Sequence, residues 1–225
     1  MKARGCTLAG RTHARLEAVA EQIRAEGGSA DVAEVDALDE RQVREHADAV
    51  AAEAGSIDVS FNLISYGDVQ GTPLVEMPLP DFMQPITTSV TSMFLTTKAA
   101  TPHMIRQGSG VVLAFGGEGD PMPDYYISSF QVALHAIEAL RRQLACELGR
   151  HGIRVVTLQT SGVPETIPAD EAQRDAIVDG IAASTMLKRP ATLDDVGAVA
   201  AFAASDRART ITGAPINMTC GATPA

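Results

Sequence analysis

Apolar residues recur along this chain in two rhythms, and the two alternate. Short apolar runs stand at CTLAG (6–10), ADVAEV (30–35), IDVSFNLI (57–64), GVVLAF (110–115), IRVVTLQ (153–159) and GAPINM (213–218). Runs of this length, bounded by turn residues, predict strands buried on both faces. Between them, apolar positions fall three and four apart, which is one face of a helix. Leu16, Val19 and Ile23 mark a helix over 13–26, entered from Thr12 and ended near Gly27. Val43, Ala47 and Val50 mark the next, between Asp39 and Gly55. Residues 66–80 read as a loop. Phe82, Ile86, Val90, Phe94, Thr97 and Met104 mark the expected buried side of a long helix over about 81–107. Pro85 and Pro102 predict a break or bend near each of its ends. Ala133, Ile137, Leu140, Leu144 and Leu148 mark a helix inside YYISSFQVALHAIEALRRQLACELGRHGIRV (125–155). Residues 160–190 read as a loop and a helix of weak pattern, and TLDDVGAVAAFAAS (192–205) as a capped helix.

Strand and helix therefore alternate throughout, and the strands are continuous apolar runs. That pattern predicts an α/β fold, a doubly wound, mostly parallel sheet with helices on both faces, in one domain over 1–225. The length of 225 residues is enough for one sizeable core. No apolar run approaches the ~18 residues of a membrane span. The start, MKARGCTLAGRTHARLEAV, carries no signal-peptide apolar region, so the expected location is cytoplasmic.

A formal net charge of −10 repels phosphate backbones and argues against nucleic acid as a partner. Cys6, Cys146 and Cys220 stand far apart, with no CxxC pair and no Cys/His cluster at zinc spacing. They read as buried reduced thiols, and no metal site is expected.

Three passages resemble the short-chain dehydrogenase/reductase (SDR) family. They are TSMFLTTKAATPHMIRQGSGVVL (91–113), RRQLACELGRHGIRVVTLQTSGVPET (141–166) and LKRPATLDDVGAVAAFAASDRARTITGAPINMTCG (187–221). The resemblance implies a Rossmann-like sheet, oxidoreductase ancestry and NADP or NAD as cofactor. The family cradles its dinucleotide on a glycine-rich turn after the first strand, at a helix N-terminus. No G-x-x-x-G-x-G or G-x-G-x-x-G occurs here. By that comparison the chain starts at the family's second strand, with the first strand, glycine turn and first helix missing. A strand missing from mid-sheet leaves two neighbours unpaired, unless they pair with each other or another chain fills the place. A truncated or misassigned start remains a third possibility.

The resemblance places Arg11 and Thr12 at the cofactor's 2′-phosphate, favouring NADP. It also places Asp36 and Ala37 at the adenine and Asn62 in the family's Asn-Asn-Ala-Gly run, where Leu63, Ile64 and Ser65 depart from it. The family's Pro-Gly stands here as Thr160–Ser161.

The family's chemistry needs a tyrosine to give the reduced carbonyl its proton, and a lysine four residues on to lower that tyrosine's pKa. A serine and an asparagine complete the set. The matching positions are Ser89 for the asparagine, Gly117 for the serine, Phe130 for the tyrosine and Leu134 for the lysine. The loss does not depend on alignment. The only lysines are Lys2, Lys98 and Lys188, the only tyrosines Tyr66, Tyr125 and Tyr126, and no tyrosine has a lysine four residues later. Glu118, Asp120 and Tyr126 are the groups nearby that offer other acid–base chemistry.

The expectation is a degenerate relative without competent hydride transfer, acting as a ligand-binding protein or partner subunit. The alternative is an NADP-dependent oxidoreductase, or a non-redox isomerase or lyase, using a reorganised site. By family analogy the chain is expected to form a homo-oligomer, or a hetero-oligomer with an active SDR. A small-molecule ligand is compatible with either; no membrane is.

Overall fold

The computed structural model describes residues 5–116, 126–167 and 174–222. The elements follow the alternation seen in the sequence. They run β1 (Cys6–Gly10), α1 (His13–Ala25), β2 (Ala30–Glu34), α2 (Glu40–Ala54), β3 (Val59–Asn62) and α3 (Leu79–Gln107). Then come β4 (Gly110–Gly116), α4 (Phe130–Leu148), β5 (Ile153–Gln159), α5 (Arg174–Ser184), α6 (Leu193–Ala204) and β6 (Ala214–Asn217). Every strand pair is parallel. The fold is the Rossmann-like α/β arrangement that the pattern predicts.

The sheet is in two pieces. β1 pairs only with β2, and β3–β4–β5–β6 form a separate four-stranded sheet. β1 and β3 do not pair with each other, so the neighbours of the expected missing strand have not closed the gap. α3 holds the two pieces in one layer. Its Leu95 packs with Val35 at the end of β2 and Val43 of α2. One turn away, its Ser92 and Thr96 hydroxyls both accept from the Asn62 side chain of β3, each at 3.3 Å.

The main core lies against the four-stranded sheet. On one face, Val112, Ala114 and Val155 pack with Met93, Met104 and Ile137 of α3 and α4. On the other, Val111, Leu113, Val156 and Leu158 pack with Ala203 of α6.

α3 corrects two expectations. It runs unbroken for 29 residues through both Pro85 and Pro102. Pro85 is buried and the helix is packed on α2 and α4, so tertiary contacts offset the two lost backbone bonds. Its buried face is the predicted one only in part. Thr97 and Met104 are buried as expected, Phe94 is exposed, and Thr88, Ser89 and Ser92 are buried as well. Ser92 donates to the Ser89 carbonyl (3.2 Å) and Thr96 to the Ser92 carbonyl (2.8 Å). Hydroxyls satisfied by their own helix lose little on facing inward. The cysteines differ as well: Cys6 and Cys146 are exposed, and all three are free.

Candidate functional site

In a parallel sheet every strand ends at the same edge, and the residues just after those ends share one crevice. Arg11 and Thr12 follow β1 there, Asp36 and Ala37 follow β2, Asn62 closes β3 and Gly116 closes β4. The pairing of Gly10 with Glu34 brings the first two pairs side by side. Asp36 builds its own turn: its carboxylate accepts from the Leu38 amide and its amide donates to the Gln42 side chain, each at 3.0 Å. Asn62 is 7% exposed. Besides its two bonds to α3, its oxygen accepts from the Ile64 amide at 3.2 Å. Its side chain is thereby committed to ordering the end of β3.

Of the positions expected for the proton-transfer set, Ser89, Phe130 and Leu134 lie among the described residues. Leu134 is 5% exposed and packs beside Gly116 of β4, where a methyl on that glycine would stand 3.7 Å from its Cδ2. Ser89 is fully buried on α3, and its hydroxyl donates to the Ile86 carbonyl of its own helix at 3.2 Å. Gly117, Glu118 and Asp120 lie outside the described residues. Tyr126 is largely exposed just ahead of α4, and its carbonyl accepts from the Gly71 amide at 3.1 Å.

One residue that sequence reasoning passed over sits at the centre. The Tyr66 ring packs on Phe130, with centroids 6.1 Å apart and planes tilted by 48°. Its hydroxyl donates to the Phe115 carbonyl near the end of β4 at 3.1 Å. Burial pushes the phenol up from 10.0 to about 12, so it stays protonated at neutral pH. A phenol therefore lies beside Phe130, reached from the loop after β3 instead of from α4. His103 of α3 lies between two charged groups, with Asp48 2.8 Å from its Nε2 and Arg106 2.7 Å from its Nδ1.

These residues fit a dinucleotide unevenly. A guanidinium and a hydroxyl after β1, beside the carboxylate after β2, suit a phosphorylated adenosine end. The nicotinamide end would meet exposed Leu63, Phe130 and buried Leu134, none of which offers a polar group to a ribose. Among the described residues, these three do not fit that half of the cofactor. Among the described residues there is no cluster of three or more metal-ligating side chains, and no helix is long and apolar enough to cross a membrane.

A family model described as "Enoyl-(Acyl carrier protein) reductase" matches residues 1–223. The 3-oxoacyl-[acyl-carrier-protein] reductase FabG of Staphylococcus aureus is 28% identical over 213 residues, covering 92% of this chain and 82% of that protein. An NAD+-bound xylitol dehydrogenase superposes with a TM-score of 0.84 at 22% identity, over 96% of this chain and 88% of the other. A gluconate 5-dehydrogenase from Burkholderia cenocepacia, in complex with NADP and tartrate, gives 0.80 at 22% identity, over 96% and 84%. The parallel Rossmann-like fold, the crevice at the strand ends and a family match over nearly every residue converge: the chain belongs to the short-chain dehydrogenase/reductase family of oxidoreductase homologues.

Proposed function

We propose that this chain is a family member without competent hydride-transfer chemistry, working as a ligand-binding or partner subunit. A single observation carries the reading. By the family resemblance Phe130 and Leu134 stand where a phenol and an ammonium are needed, and the phenol that packs on Phe130, Tyr66, spends its proton on a backbone carbonyl. An oxyanion left by hydride transfer needs a donor whose pKa lies near the working pH. A phenol pushed up to about 12, with no cation to lower it, is a poor one. The uneven fit supports occupancy by an adenosine-phosphate ligand, with Arg11 favouring a 2′-phosphate. Cytoplasmic location and assembly with a copy or an active relative belong to the same reading.

The test is turnover. Purified protein with NADPH or NADH and a panel of carbonyl compounds should show no oxidation above background. Turnover that disappears in Tyr66→Phe would reject the proposal. It would instead support a reorganised site in which Tyr66 delivers the proton, a second reading favoured by its contact with Phe130. Calorimetric titration with NADPH and with 2′,5′-ADP should give similar affinities, because the nicotinamide half finds no partners.

A further inference from the structure

Gln42 does more than start its helix. Asp39 caps α2, its Oδ1 accepting from the Gln42 amide at 3.0 Å. A glutamine three residues past a cap ordinarily turns back to the backbone amide of the cap itself. Here that amide, of Asp39, already donates to the Asp36 carbonyl at 3.0 Å. The Gln42 side chain reaches past it instead. Its Oε1 accepts from the Asp36 amide at 3.0 Å, and its Nε2 donates to Asp39 Oδ2 at 2.9 Å. One carboxamide thus bridges both ends of the turn between β2 and α2. The bridge stands on a packed base: Val35, next to Asp36, and Val43, next to Gln42, are buried and share one cluster with Leu95.

The place calls for a group that gives and takes at once. The bonds from Gln42, its backbone amide first, hold the Asp39 carboxyl below the usual carboxylate range, so it stays an acceptor. Residue 42 must therefore donate to Asp39 while it accepts from Asp36. A glutamate would only accept, and would set two carboxylates together. The bridge fixes what Asp36 can offer. Its amide is tied to Gln42 and its Oδ1 accepts from the Leu38 amide, which leaves Oδ2 for a ligand. The Val35 amide, donating to the Gly10 carbonyl at 2.9 Å, sets this turn beside Arg11 and Thr12. We infer that Gln42 is a positioning residue for ligand recognition, holding the Asp36 carboxylate toward an adenosine-phosphate ligand seated at Arg11 and Thr12. The inference rests on the adenosine-phosphate reading above and adds to it a residue that acts only through Asp36.

Calorimetric titration of the full chain with 2′,5′-ADP provides the test. Gln42→Met keeps the length and helix propensity of the side chain but loses both of its bonds. Its affinity should fall by about three- to tenfold. Asp36→Ala should lose at least as much. In the Asp36→Ala background, Gln42→Met should cost less than about twofold further, while it still lowers the urea midpoint. A glutamine that only supports the fold would lower affinity by the same factor with and without the Asp36 carboxylate, and that result overturns the inference. So does unchanged affinity in Gln42→Met when the unaltered chain binds 2′,5′-ADP. No binding by the unaltered chain overturns the adenosine-phosphate reading itself, and the inference with it.

Discussion

At the scale of single residues, the Tyr66 phenol makes the site's character measurable. Its hydroxyl bond to Phe115 is neutral and partly buried, so Tyr66→Phe should lower stability by about 1 kcal/mol in urea denaturation. The pH dependence has a definite sign. A phenol whose pKa is raised in the folded state, to about 12 from 10.0, stabilises the fold fully below pH 10. Above that the unfolded chain ionises first, and stability falls by about 1.4 kcal/mol per pH unit until the folded phenol also ionises near 12. Tyr66→Phe should lack this component of the alkaline loss; equal slopes for the two proteins between pH 10 and 12 would contradict it. The contrast shows what a sequence reveals at this scale. The loss at Phe130 and Leu134 was legible, because tyrosine and lysine must stand at i and i+4 on one helix. Tyr66 was not, because it meets Phe130 through the fold, across 64 positions of chain, and no spacing rule encodes that meeting.

At the scale of elements, α4 carries a feature that its periodicity hid. Glu138 and Arg141 lie on its buried side, 5% and 3% exposed, joined at 2.7 and 3.0 Å. Glu138 Oε1 and Arg141 Nη1 have no hydrogen-bond partner. Such a pair loses much hydration and regains it only in part. Glu138→Ala leaves a buried guanidinium alone and should cost about 3–5 kcal/mol, whereas Glu138→Leu with Arg141→Met should be neutral or stabilising. Denaturation midpoints of the two variants decide between a structural and a merely tolerated pair; a mild effect of Glu138→Ala would show the pair to be hydrated. Apolar spacing located α4 correctly from Ala133, Ile137 and Leu148 but gave no reason to place charges beside them. The same limit explains α3. Its length was legible, yet the inward hydroxyls of Ser89 and Ser92 are made inexpensive by bonds to their own helix, and a hydrophobic pattern counts both residues as polar and exposed.

At the scale of the whole molecule, the divided sheet decides how the protein opens. Both large core clusters belong to the four-stranded sheet and the helices on it, whereas α1 buries only Ala20. The unit of β1, α1 and β2 is tied to the rest chiefly through Val35, Val43 and Leu95. The alternation of strands and helices was legible from the chain; that β1 and β3 stand in separate sheets was not, because no local pattern states which strands pair. Regions with few buried contacts open at lower free energy than the core. In native-state hydrogen exchange, Leu8 and Ala33, whose amides lie in the β1–β2 ladder, should therefore exchange through an opening that leaves β4 and β5 protected. Ile137→Val discriminates. Ile137 is 1% exposed in the core under α4, and the substitution should lower global stability by about 0.5–1.5 kcal/mol. Exchange at Val112 and Val155 should then speed by the corresponding factor, while Leu8 and Ala33 keep their rates, because their opening does not break the Ile137 contacts. Equal acceleration at all four amides would mean that the two sheets open together, and that α3 joins them into one cooperative unit although no strand pairing links them.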